Sequence, residues 1–124
     1  MPRRILVEAR IHPAVREKVV TRHADIVDEV EAAIAGNDVV VVGMAQNPHV
    51  KRARSALDRA GIAYRYLEYG SYFGQWRRRN ALKMWTGWPT FPMVFVRGVL
   101  VGGASDLEGL IASGELQRML STPA

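Results

Sequence analysis

The sequence predicts a single α/β domain in the order β-α-β-α-β-β-α, with a central four-stranded mixed sheet flanked by helices. Three observations carry this. Val39 to Val42 is a run of four valines, the pattern of a central strand buried on both faces. Asn47-Pro48 then offers a preferred N-cap with proline at the first helical position, and the strand pattern Ile62 to Tyr69 that follows the helix must run parallel to the first. Finally, Phe91 to Val96, Arg97-Gly98 and Val99 to Val101 read as strand, two-residue turn and return strand.

Ahead of the valine run, Ile5, Val7, Ala9 and Ile11 alternate with Leu6, Glu8 and Arg10, which predicts a short strand with one buried face. Val15, Val19, Ile26, Val30 and Ile34 recur at helical spacing, giving helix over 13–35, either one long element or two broken near Thr21-Arg22-His23, with Gly36 as the stop. The helix from Pro48 to Ala60 turns Val50, Ala53 and Leu57 inward and Lys51, Arg52, Arg54 and Arg59 outward, and Gly61 ends it. Gly70 to Gly74 is a loop, and residues 75–84 form a helix carrying Trp76 and a basic run. Pro89 and Pro92 bracket Thr90-Phe91; neither donates a backbone hydrogen bond, so the entry to the third strand is stiff and leaves backbone groups free for a ligand. Ser105-Asp106-Leu107-Glu108 fits a capping box, so a last helix is expected to begin at Asp106 and, with a break near Gly114, to run to about Leu120, leaving residues 121–124 as a flexible tail.

At 124 residues the chain suits one domain with one core. Its apolar runs fall well short of the roughly 20 residues that span a bilayer, and the N-terminus lacks an apolar core and a cleavage site. A cytoplasmic protein with no membrane partner is the expectation. The absence of cysteine excludes disulfides, thiolate metal sites and a protein thiol nucleophile. The net charge of +5 is uneven: Lys51, Arg52, Arg54 and Arg59 share one segment, and Arg77, Arg78, Arg79 and Lys83 another. These clusters are either solvated helix faces or a pocket for an anion such as a peptide carboxylate or a phosphate. Nucleic acid is disfavoured, because no strand interleaves aromatic and basic residues. His12, His23 and His49 do not fall at metal-ligand spacing, so no metal site is expected, and Trp76, Trp85 and Trp88 are read as core or pocket wall.

The run Trp88-Pro89-Thr90-Phe91-Pro92, the hairpin after it and the pair Gly102-Gly103 resemble the glutaredoxin family, closest to its monothiol branch with a Cys-Gly-Phe-Ser active site. Arg79-Asn80-Ala81-Leu82-Lys83 is similar to that branch's Arg-Gln-Gly-Leu-Lys segment. The resemblance implies the thioredoxin fold over residues 25–120 and leaves 1–24, a strand plus helix, as an N-terminal extension. Asn47-Pro48-His49-Val50 then sits where dithiol relatives have Cys-Pro-Tyr-Cys, which puts Asn47 in the nucleophile's position. An amide forms no thiolate, so exchange chemistry in the family's manner is not expected, nor is the iron-sulfur cluster that monothiol relatives hold through that cysteine.

Further expectations follow from the resemblance, residue by residue. Thr90, Phe91 and Pro92 match the family's glutathione-pairing turn, whose X-Pro bond is cis. Arg79 matches a residue that meets the glycine carboxylate, while Gly103, Ser105 and Asp106 match the γ-glutamyl end, with Ser105 in place of an aspartate. Met44 stands where a ligand-binding lysine is found in the family. Each also has a structural reading, with the Thr90-Phe91-Pro92 turn serving the fold, Arg79 as a solvated helix residue and Gly102-Gly103 as a tight strand exit. The leading function is a cysteine-free glutaredoxin-like protein with a residual groove for glutathione or a thiol-peptide. The alternatives are a glutathione-dependent transferase or isomerase, in which Asn47 and His49 serve the thiol of the bound tripeptide, and a protein interaction module. A symmetric homodimer through residues 1–24 is the expected fate of the apolar extension.

Overall fold

The computed structural model describes residues 4, 6, 8–15, 24–71 and 74–121. The core elements are α1 (Ala24–Gly36), β1 (Val39–Gly43), α2 (Pro48–Arg59), β2 (Arg65–Glu68), α3 (Trp76–Thr86), β3 (Met93–Val96), β4 (Val99–Gly102), α4 (Ala104–Ala112) and α5 (Glu115–Ser121). The sheet order is β2-β1-β3-β4, with β1 parallel to β2 and antiparallel to β3, and β3 antiparallel to β4. This is the mixed sheet expected from the chain order.

The four valines of β1 explain why the sheet has two covered faces. Successive side chains alternate, so Val40 and Val42 join Ile26, Val30, Leu82, Met93 and Phe95 under α1 and α3, while Val39 and Val41 join Ala53, Leu57, Val94, Leu107 and Leu116 under α2, α4 and α5. The hairpin between β3 and β4 turns through Arg97 and Gly98 at φ of 47° and 79°, the doubly left-handed geometry that matches strand twist. In β4, Gly102 pairs with Val94 and Leu100 with Phe95, so Val101 is an extra residue, and this bulge swings the strand end toward the start of α4.

Several boundaries differ from expectation. Glu8–Arg10 form a short 3-10 turn and Ile11 a bend, so the extension does not form the predicted strand over 5–11 at these positions. Leu6 and Val15 are exposed there, so alternation had no sheet face to fill. Residues 13–15 are helical and α1 starts at Ala24; the expected break near Thr21-Arg22-His23 lies outside the described residues. The second and third strands are shorter than their apolar patterns, with Ile62 and Phe91 serving as entry residues to β2 and β3. The last helical segment begins at Ala104, not Asp106. Gly103 is its N-cap, and the Asp106 carboxylate accepts from the Gly103 N–H at 3.0 Å, so the acidic residue sits at the third helical position of a cap that has no side chain. Ser121 closes α5, and the rest of the expected tail lies outside the described residues. Trp76 is 56% exposed, not core; Trp85 packs on Phe95 with ring centroids 6.3 Å apart.

Candidate functional site

Three chain ends meet at one end of the sheet. β1 leaves through Gly43 to Gln46 and enters α2; β3 is entered through the Thr90-Phe91-Pro92 turn, beside Met93, which pairs with Val42; β4 leaves through Gly102 into α4. Two glycines make the approach feasible. A Cβ on Gly43 would lie 2.7 Å from Val50 Cγ1, so α2 closes on β1 only over a bare backbone. Gly102 has φ of +114°, and a Cβ there would run into the Asp106 carboxyl.

Asn47 opens α2. Its Oδ1 accepts from the His49 N–H at 2.9 Å and the Val50 N–H at 3.2 Å, satisfying two of the helix's free donors, and Pro48 fills the first position without wasting one. The side chain is 9% exposed. With Oδ1 turned onto the helix end, the planarity of the amide turns Nδ2 away from it.

A groove of about 230 Å³ lies beside this helix end, lined by His49, Trp88, Thr90, Phe91, Pro92 and the Gly103–Asp106 segment. The Phe91–Pro92 peptide bond is cis, and the Phe91 backbone is in no hydrogen bond among the described residues. Of the residues expected to hold a ligand, Thr90, Phe91, Pro92, Gly103, Ser105 and Asp106 therefore line one surface. Arg79 is not among them. It is 6% exposed, and its Nη1 donates to the carbonyls of Tyr69, at 2.9 Å, and Gly74, at 2.5 Å, fastening the loop between β2 and α3. Burial pushes its guanidinium below the ordinary value, and the carbonyls offset part of the desolvation. The reading of Arg79 as a solvated helix residue is thus overturned. Met44, 6% exposed, belongs to the core under α1 and α3.

Arg52 is the residue the sequence did not single out for the site. Its Nη1 lies 3.1 Å from His49 Nδ1, and its Nη2 donates to Ser105 Oγ at 2.9 Å and Glu108 Oε1 at 2.7 Å. One side chain therefore ties the start of α2 to the start of α4 across the groove's end. A guanidinium only donates, so Nδ1 accepts and the ring hydrogen sits on Nε2. Through their hydrogen bond, Arg52 holds the Glu108 carboxyl below the usual carboxylate range and is itself raised. The spacing of His49 and Arg52 by three on one helix was available in the sequence; the contacts to Ser105 and Glu108, across 53 and 56 positions, were not.

The residues do not fit an iron-sulfur cluster. The chain has no thiolate, and the carbonyl oxygen of Asn47, which the resemblance puts in the cysteine's position, is committed to two backbone donors. Among the described residues there is also no group of three His, Asp or Glu able to hold a metal ion.

The Glutaredoxin family model matches residues 39–101, from the start of β1 to the penultimate residue of β4. A glutaredoxin-like protein of Dictyostelium discoideum is 54% identical over 84 residues, covering 68% of this chain and 68% of that protein. Monothiol glutaredoxin-4 of Schizosaccharomyces pombe is 45% identical over 42 residues, 34% of this chain and 17% of its own length. Among solved structures, the buckwheat glutaredoxin–glutathione complex superposes with a TM-score of 0.69 at 24% identity, over 80% of this chain and 90% of that one. Fold and sequence agree, and the chain belongs to the glutaredoxin family, as a member without cysteine.

Proposed function

We propose that this chain binds glutathione, or an extended thiol-peptide, in the groove between the Thr90-Phe91-Pro92 turn and the start of α4, and performs no thiol-disulfide exchange of its own. The observation that carries the reading is Asn47. The resemblance puts its amide in the family's nucleophile position, where it has no dissociable proton in range, while its Oδ1 serves the helix end. Exchange requires a thiolate to attack one sulfur of a disulfide and expel the other as the leaving thiolate, and this protein supplies no attacking thiolate.

The binding half rests on the groove. An extended peptide laid against Phe91 would find a backbone N–H and C=O that the sheet does not use, in the manner of strand addition. Two helix N-termini, those of α2 and α4, converge on the same surface and favour the anionic groups of such a ligand. Ser105 Oγ and Asp106, at opposite ends of the Arg52 and Gly103 hydrogen bonds, are positioned to sort its polar end.

Calorimetric titration with reduced glutathione tests the binding half, and one-to-one binding is the expected result; a silent titration at millimolar ligand overturns it. A hydroxyethyl-disulfide reduction assay tests the other half, and turnover at the rate of a cysteine-bearing relative would end it. Conjugation of glutathione to a generic electrophile separates a transferase: acceleration that disappears in Asn47→Ala would move the site to that class.

A further inference from the structure

The face of α1 and α3 lies on the side of the sheet opposite α2 and α4. The two helices run in the same direction, since Asp25 meets Arg78 at 3.1 Å near their first turns while Ile34 and Ala35 share a cleft with Trp85 and Thr86 near their last. That cleft is apolar, with Phe95 and Leu100 as its floor, and holds about 450 Å³. Beside it α3 exposes two large apolar side chains, Trp76 at 56% and Met84 at 72%, with the Arg77 guanidinium 5.3 Å above the Trp76 ring. Trp, Met and Arg are the residue types enriched in protein interfaces.

The charges are sorted helix by helix. α1 carries Asp25, Asp28, Glu29 and Glu31 and no basic residue; α3 carries Arg77, Arg78, Arg79 and Lys83 and no acidic one. Within one molecule Asp25 pairs with Arg78, Glu29 accepts from the Tyr69 hydroxyl and Arg79 turns inward. That leaves Asp28 and Glu31 exposed on α1, in no ion pair among the described residues, and on α3 the exposed Arg77 over the Trp76 ring and the half-buried Lys83, whose Nζ lies 5.8 Å from the centre of the Phe91 ring at the groove's edge. A partner of uniform charge would be repelled by one stripe or the other.

We infer that this face docks a second copy of the same chain. A two-fold axis along the helices lays each copy's α1 over the other's α3, so acidic meets basic on both sides and the exposed Met84 and Trp76 are covered, the self-complementary arrangement a two-fold interface requires. Ala32 and Ala35, exposed one helical turn on from Asp28 and Glu31, let the partner helix approach closely. The groove, built from α2, α4 and the proline turn, stays open in such a dimer.

Sedimentation of the full chain tests this, together with two charge-reversed variants, Arg77→Glu/Lys83→Glu and Asp28→Lys/Glu31→Lys, each first shown to melt cooperatively. The wild type is expected to be a dimer at tens of micromolar that loosens as added salt screens the stripes. Each variant alone should dissociate at least about tenfold more readily, and an equimolar mixture of the two should recover association to within a few-fold of wild type, because the reversed stripes again match. A wild type that is still monomeric at about 100 µM, above the concentration at which the dimer is expected to form, overturns the inference. So does a dimer that ignores both reversals, since another face then holds it.

Discussion

At the scale of single residues, the site is a set of hydrogen bonds that each do a structural task, and function is what remains available. Asn47 spends its carbonyl oxygen on two backbone donors of α2 and keeps its NH₂ arm. Asn47→Ala is therefore expected to cost about 1 kcal/mol in denaturant unfolding, the usual size of a lost cap, with the fold unchanged by circular dichroism. Asn47→Cys loses the same cap but puts a thiol at a helix N-terminus, where its thiolate is stabilised; measurable disulfide reduction by that variant is expected, and its failure would mean that more than the nucleophile is missing. Arg52 binds nothing in the core, so Arg52→Ala should leave the melting temperature nearly unchanged while weakening glutathione binding, because His49 and Ser105 lose their common partner. The pH dependence has a definite sign. Glu108 has its carboxyl lowered by Arg52, so the clamp is complete above the ordinary carboxylate pKa and is lost as pH falls through the depressed value; wild-type affinity should decline on that acid limb and the decline should be absent in Arg52→Ala.

At the scale of elements, the sequence was informative wherever one residue type has one physical use. Four valines cannot face water on either side, so β1 was legible as a central strand, and Asn47-Pro48 was legible as a helix start because its two backbone tasks are local. The start of α4 was misplaced because Ser105 and Gly103 both satisfy the local pattern, and the choice is made by Gly102, whose left-handed φ and lack of a side chain bring Asp106 back onto the Gly103 N–H. The expected N-terminal strand failed for the opposite reason, since alternation has meaning only beside a sheet edge, and the described part of that segment lies on none. Trp76 was misread because a tryptophan usually seeks burial, whereas here the inward face of α3 is filled by Arg79, Ala81 and Leu82. The close approach of α2 to β1 gives a test at this scale. Gly43→Ala forces its Cβ onto Val50 and should destabilise the fold, whereas Val50→Ala removes the obstructing methyls at the cost of a cavity; the double variant should lose less than the sum of the two single losses, by about 0.5–3 kcal/mol of coupling in denaturant melts.

At the scale of the whole molecule, the sheet is covered on both faces by elements that begin at Ala24, and the core clusters draw no described member from before Ile26. The groove and the α1–α3 face also lie wholly after that point, the groove at the end of the sheet where α2 and α4 begin. Burial of apolar surface dominates stability, and nearly all of the burial seen here belongs to this unit. A chain beginning at Ala24 keeps Asp25 to meet Arg78 and so keeps the junction of α1 with α3. It is expected to unfold in one cooperative transition, to bind glutathione with the affinity of the full chain, and to sediment as the same dimer. The comparison discriminates between the two ways the molecule can associate. If the shortened chain is monomeric while the full chain is a dimer, association runs through residues 1–23, and the sorted charges of α1 and α3 serve only to hold those helices together within one copy. If both are dimers and both respond to the charge reversals, the extension has no part in assembly, and its apolar residues must find their use in another partner.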